Sequence, residues 1–190
     1  MPSVSPLIIR SSRRSVSLEI RPDGVLVVRA PDRMKDGEIR RFLDEKAGWI
    51  ERHLEKVRRT PPITPDEWLT EEQLDALRRD AARVIPERVR HFASLVGVTF
   101  GRITIRCQKS KWGSCSAAGN LNFNCLLMLA PPEVLDYIVV HELCHRLEMN
   151  HSAAFYRHVA RVLPDWCSAD AWLKANGARL MRRMTEASER

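Results

Sequence analysis

The segment His141-Glu142-Leu143-Cys144-His145 restricts what this chain can fold into more than any other stretch of it. Residues four apart share a face on an α-helix, about one turn from each other, so the spacing demands a helix if both imidazoles are to aim at one point. The residues upstream agree. Pro131-Pro132-Glu133 reads as a helix start, with proline early and an acid in the first turn, and Leu135, Ile138, Val139 and Leu143 continue an apolar face. With 6 His in 190 residues, a histidine-glutamate-x-x-histidine pattern arises by chance roughly one time in a hundred, before any helical context is asked for.

Two imidazoles with a carboxylate beside them on one helix are what a zinc hydrolase uses to hold its ion and keep a general base next to it. Zinc takes four tetrahedral ligands and a catalytic site reserves one position for water, so a third protein ligand is expected outside the segment. His151 is the first choice, because five intervening residues suffice to end the helix and turn back. In the longer metzincin pattern a glycine stands three residues after the second histidine, where this chain has Glu148. Glu148 is therefore a rival third ligand, and Asp165 a more distant one. The expectation is Zn2+ on His141, His145 and His151 with Glu142 as general base, although three histidines would also accept cobalt, nickel or copper. His158, Tyr156, Arg157 or a backbone N–H could stabilise an oxyanion, and the sequence does not choose among them. His53 and His91 read as ordinary core or surface residues.

Ahead of this helix the pattern changes. Val16, Leu18 and Ile20 alternate with polar residues, Asp23-Gly24 supplies a turn and Val25–Val28 follows, which predicts a β-hairpin. An amphipathic helix through Ile39, Leu43, Ile50, Leu54 and Val57 should pack on it. Thr60–Pro65 is rich in proline and makes a linker, dividing the chain into an N-terminal lobe, 1–63, and a core, 64–190. The core should open with a long helix from Leu69 to Leu95, kinked or split at Pro86 and ended by Gly97. A strand at Ile103–Ile105 follows, then turns at Trp112-Gly113-Ser114 and Gly119-Asn120, and a longer strand with Leu121, Phe123, Cys125, Leu127 and Leu129 on one face. Beyond His151, Ser152 can cap a helix that Pro164 closes, and a last helix carries Trp172 and Leu180. The fold class is α+β: a sheet packed on helices, one of them bearing the histidines, plus a hairpin-and-helix lobe.

No apolar stretch approaches the roughly 18–20 residues of a membrane span. The N-terminus lacks the basic and apolar regions of a secretory signal, which makes a cytoplasmic address the default. Five cysteines, at 107, 115, 125, 144 and 167, form no CxxC pair and are read as reduced thiols, mostly small buried hydrophobes. The net charge of +7 raises the question of nucleic acid. Residues 1–63 hold 14 Lys and Arg against 9 Asp and Glu, whereas 64–178 hold 13 of each, so the basic excess lies away from the histidines. A nucleic-acid-associated protein and a zinc-stabilised module without catalysis are the competing functional classes.

Several motifs together resemble the YgjP-like metallopeptidases: Lys109-Ser110-Lys111-Trp112-Gly113-Ser114-Cys115, Asn120-Leu121-Asn122-Phe123-Asn124, the His141–His145 segment, Asn150-His151-Ser152 followed by Phe155-Tyr156, and Pro164-Asp165-Trp166. The resemblance runs over roughly residues 8–175. It implies a zincin-like metallopeptidase core acting on peptide or protein, with metal ligands at His141, His145 and His151 and the catalytic acid at Glu142. SprT-like proteases, which act near DNA, look like distant relatives. Zincin-type sites hold substrate as an added strand on a sheet edge, and Asn120–Leu129 is the expected edge, with Trp112–Cys115 as a loop over the cleft.

Overall fold

A computed structural model describes residues 5–21, 24–59, 63–108 and 110–184. The chain forms two compact units, 1–62 and 63–190.

In the first unit β2 (Ser17–Ile20) pairs antiparallel with β3 (Leu26–Pro31), in the register Ser17↔Arg29 to Ile20↔Leu26, as the alternating pattern requires. Gly24 takes φ 83°, a left-handed conformation that favours glycine, and its N–H donates to the Arg21 carbonyl to close the turn; Asp23 lies outside the described residues. The sequence did not foresee β1 (Leu7–Ser11), which pairs in parallel with β3 and makes the order β1-β3-β2. The expected helix is two, α1 (Asp36–Glu45) and α2 (Ala47–Arg59), meeting at Lys46. Their stripe Ile39, Leu43, Ile50 and Leu54 is buried against Leu26, Val28 and Ala30, the face the hairpin presents.

The second unit opens with α3 (Glu71–Val96), capped by Thr70, whose hydroxyl accepts from Gln73 N–H, and ended by Gly97 at φ 83°. Pro86 was expected to kink or split this helix. The helix runs through it unsplit, and Ala82, whose carbonyl loses its partner, is an exposed residue. The sheet has the order β4-β6-β5: β4 (Ile103–Arg106) runs parallel to β6 (Leu121–Asn124), and β5 (Gly113–Cys115) antiparallel. Three expectations are corrected here. Trp112-Gly113-Ser114 leads into a strand instead of making a turn. The long strand to Leu129 stops at Asn124 and continues as a 3₁₀ turn, Cys125–Leu129, because the Asn124 side chain accepts from Leu126 N–H and caps it. The expected substrate edge is also overturned, since β6 is the central strand and β4 and β5 are the outer ones.

The cysteine reading is corrected too. The parallel register sets Arg106 against Asn124 and so brings Cys107 beside Cys125, with Cα atoms 5.6 Å apart, and the two are joined as a disulfide. Cys144 is buried as expected, Cys115 is half-buried and Cys167 exposed.

At the centre of this unit lies α4 (Pro132–Cys144), with Val134, Leu135, Ile138, Val139, Val140 and Leu143 buried among residues of α3, of the sheet, of α5 (Ala153–Val162) and of α6 (Trp166–Arg182). Burial on all sides leaves its polar residues little freedom, and that rigidity positions what they carry. No helix among the described residues is long and apolar enough to cross a membrane.

Candidate metal centre and active site

His141 lies in the last turn of α4 and His145 caps its end, so the helix itself aims both rings to one side. The chain then turns tightly through 146–151: Arg146 N–H donates to the Leu143 carbonyl, and Leu147 and Glu148 N–H to that of Cys144. Ser152 caps α5 by accepting from Phe155 N–H, and this fixes His151 just before it. The three histidines converge, with one ring nitrogen of each within 4.8 Å of the others. His151 Nε2 and His141 Nε2 are 2.9 Å apart. Among the described residues neither Glu148 nor Asp165 belongs to this group.

Phe155 supports all three rings. Fully buried, it lies 4.8 Å from His141, 4.7 Å from His145 and 4.9 Å from His151 between ring centroids. Glu148 takes part through its main chain: its carbonyl lies 3.1 Å from His145 Nδ1. A carbonyl only accepts, so Nδ1 carries the hydrogen and Nε2 is left free as a ligand. Desolvation first, then His145 and His151, lowers His141 to about 4, and desolvation also lowers His145. Both rings are thus neutral near pH 7, the form a metal requires. A cation fits these residues: three imidazoles, the donor type zinc takes, converge with their ring nitrogens within 4.8 Å of one another.

Glu142 lies next to His141 and is 5% exposed. Burial pushes its carboxyl up to about 8, with Lys111 opposing. Above it runs β5, so closely that a Cβ on Gly113 would stand 2.6 Å from Glu142 Oε1. Two polar anchors hold this strand in place. Buried Asn124 donates to the carbonyls of Gln108 at 2.7 Å and Lys111 at 2.9 Å, fixing the loop that enters β5. Arg146, one residue beyond the second histidine, donates to Thr99 and Ala117 carbonyls and packs on Gly119, tying the helix end to the loop between β5 and β6.

Sequence reasoning named His141, Glu142, His145 and His151; the structure groups the three histidines and buries Glu142 next to His141 on α4. Phe155, Asn124, Gly113 and Arg146 were not given these duties. A phenylalanine four residues past the third histidine and an asparagine at the end of an alternating run were the available signals. Of the proposed oxyanion donors, Tyr156 lies at the rim, its ring 6.4 Å from that of His151 and stacked on Trp166.

An α+β core with three histidines and a buried glutamate gathered at one helix end has the donor set that metal-dependent hydrolases use. The chain belongs to the YgjP-like metallopeptidase family, whose metallopeptidase domain model matches residues 14–74 and 60–176, and is thus a metal-dependent peptidase. Two crystal structures of metallopeptidase zymogens, abylysin of Pyrococcus abyssi and jannalysin of Methanocaldococcus jannaschii, are each 22% identical over 48% of this chain, with a TM-score of 0.44 and 94% and 95% of their own chains covered. No curated protein matches.

Proposed function

We propose that the chain hydrolyses peptide bonds with zinc held by His141, His145 and His151 and with Glu142 as general base. The observation that carries this reading is the convergence of three imidazole nitrogens within 4.8 Å beside a carboxyl that is 5% exposed. Bound there, zinc supplies a water of lowered pKa and a positive charge that polarises the scissile carbonyl. Glu142 accepts the proton of the attacking water and returns it to the leaving amine. Its burial supports the second half of that task, since a carboxyl raised to about 8 holds the proton it has taken near pH 7 until the amine takes it. Gly113 holds the carboxylate from above, and the carbonyl of Glu148 orients His145. The outer strand β5, beside Glu142, is where an extended substrate would pair.

The nucleic-acid reading gains no specific observation. Several bases of the first unit are engaged locally, Arg10 with Asp36, Arg29 with Glu19 and Arg59 with Glu55.

The test is zinc per chain and turnover of unfolded casein for wild type, His141→Ala, His151→Ala and Glu142→Gln. About one zinc in wild type, its loss in both histidine variants, and zinc retained without turnover in Glu142→Gln are expected. Unchanged turnover in Glu142→Gln overturns the mechanism.

A further inference from the structure

One turn before His141 on the same helix stands Tyr137, and beside it opens a cavity of about 450 Å³ that takes no part in holding the histidines or Glu142. Its walls are aromatic and apolar: Tyr137, Leu163, Trp166 and Trp172. Its charged lining is acidic only, from Glu133, Asp136 and Asp165. Of these, Asp136 is committed to a bidentate pair with Arg88, whereas Asp165 accepts from the Ser168 hydroxyl and Glu133 is exposed with no salt bridge among the described residues.

A set of packed rings lies between the cavity and the histidine group. Tyr137 meets the edge of His141 at 5.8 Å and stacks on Trp166 at 6.0 Å. Trp166 stacks in turn on Tyr156 at 4.9 Å, and Tyr156 faces His151. Along α4 the seven or eight residues from His141 back to Val134 and Glu133 span about 11–12 Å, at 1.5 Å per residue. An extended peptide covers that distance in about three residues.

From this geometry we infer that the cavity is a specificity subsite for a basic side chain, arginine or lysine, of the peptide substrate, about three residues from the cleaved bond. The inference rests on the peptidase reading above. The chemistry is complementary on both counts. The aliphatic stem and the flat guanidinium of arginine lie well against indole rings, and its charge meets Glu133 and Asp165 at the rim. An acidic side chain would meet only like charge there, and a plain aliphatic one would leave the carboxylates without a partner. The volume is within the usual range of pockets that enclose small ligands, roughly 300–1,000 Å³.

Binding is measured without cleavage, by fluorescence anisotropy on zinc-loaded Glu142→Gln with labelled alanine-glycine heptapeptides carrying a single Arg, Leu or Glu at successive positions. The Arg peptide is expected to bind about tenfold tighter than the other two at one position, the scale of a charge-assisted contact joined to a cation–π contact. Adding Glu133→Gln and Asp165→Asn should cut the preference to about twofold while leaving the Leu peptide and the melting temperature unmoved. Equal binding of the three peptides, or an Arg preference that survives the two added substitutions, overturns the subsite. The peptidase reading fails separately: an Arg preference in a chain whose wild type has no Glu142-dependent turnover of casein leaves the subsite standing and removes the mechanism, and turnover without the preference does the reverse.

Discussion

Gly113→Ala adds a single methyl group where β5 lies on Glu142. The new Cβ would stand 2.6 Å from Oε1, 2.7 Å from Cγ and 2.9 Å from Cδ of that residue, all inside van der Waals contact. Glu142 cannot swing into solvent to relieve the overlap, because it is 5% exposed and set in the buried helix α4. Either the carboxylate moves by about 1 Å or the strand lifts. Overpacking of this kind costs about 1–3 kcal/mol of stability, and a 1 Å misplacement of a reacting group costs about a hundredfold in rate. The expected result is a fall of about a hundredfold in kcat/KM on casein with zinc content intact, since the histidines are not touched. Gly37→Ala, where nothing lies within 4 Å, is the control and should leave activity unchanged. A Gly113→Ala protein that folds, holds zinc and keeps activity within about threefold of wild type refutes the placement of Glu142 as the group that moves the proton.

Glu148→Gln should keep its zinc and its turnover, because the residue acts through its carbonyl; loss of zinc would make the side chain a ligand after all. Phe155→Ala should lose about 3–5 kcal/mol in urea unfolding and release zinc to weaker chelators, as the common support of three rings disappears; unchanged zinc retention would show that the rings hold themselves. Opposed titrations of buried groups enter the pH response of the metal-free chain. His141, lowered from 6.5 to about 4, refuses a proton that the unfolded chain accepts, so its contribution falls as pH drops through that window. Glu142, raised from 4.5 to about 8, keeps a proton that the unfolded chain has lost, so its contribution grows as pH drops from about 8. Between pH 7 and 5 each amounts to about 2 kcal/mol and they nearly cancel. His145, also lowered, adds to the acid-side loss, so metal-free Glu142→Gln should decline more steeply than wild type over this range, by about 2 kcal/mol in urea unfolding; parallel profiles would show that Glu142 does not hold its proton.

What was legible in the sequence was whatever a periodic pattern dictates locally. The helix of His141 and His145, the helix end at Gly97, the cap at Ser152, and the hairpin face of Leu18 and Val28 each follow from residues within a few positions of one another. The strand order was not legible. Nothing near Leu121 or Phe123 says that β4 lies on one side of them and β5 on the other, and β5, three residues long, is too short for alternation to register. The bridge between Cys107 and Cys125 was hidden for the same reason, since it follows from a parallel register and not from spacing. Trp112-Gly113-Ser114 carries turn residues, and only the helix beneath explains a strand there: glycine stands at 113 because Glu142 fills the space a side chain would take. Pro86 does not split α3, and the packing of Ile85, Val89 and Phe92 along one buried face carries the helix through it.

The outer strand β5 is three residues long. A substrate that pairs with it gives up conformational freedom at about 1–2 kcal/mol per residue fixed and recovers only a few main-chain hydrogen bonds in return. A segment already ordered inside a folded protein would first have to be pulled out of its own structure, at a further cost that so short an edge cannot match. An unfolded chain bears no such debt. On the pairing proposed above, the length of this one strand would act as a filter on the physical state of the polypeptide before its sequence is consulted, favouring denatured, nascent or loop segments over folded domains.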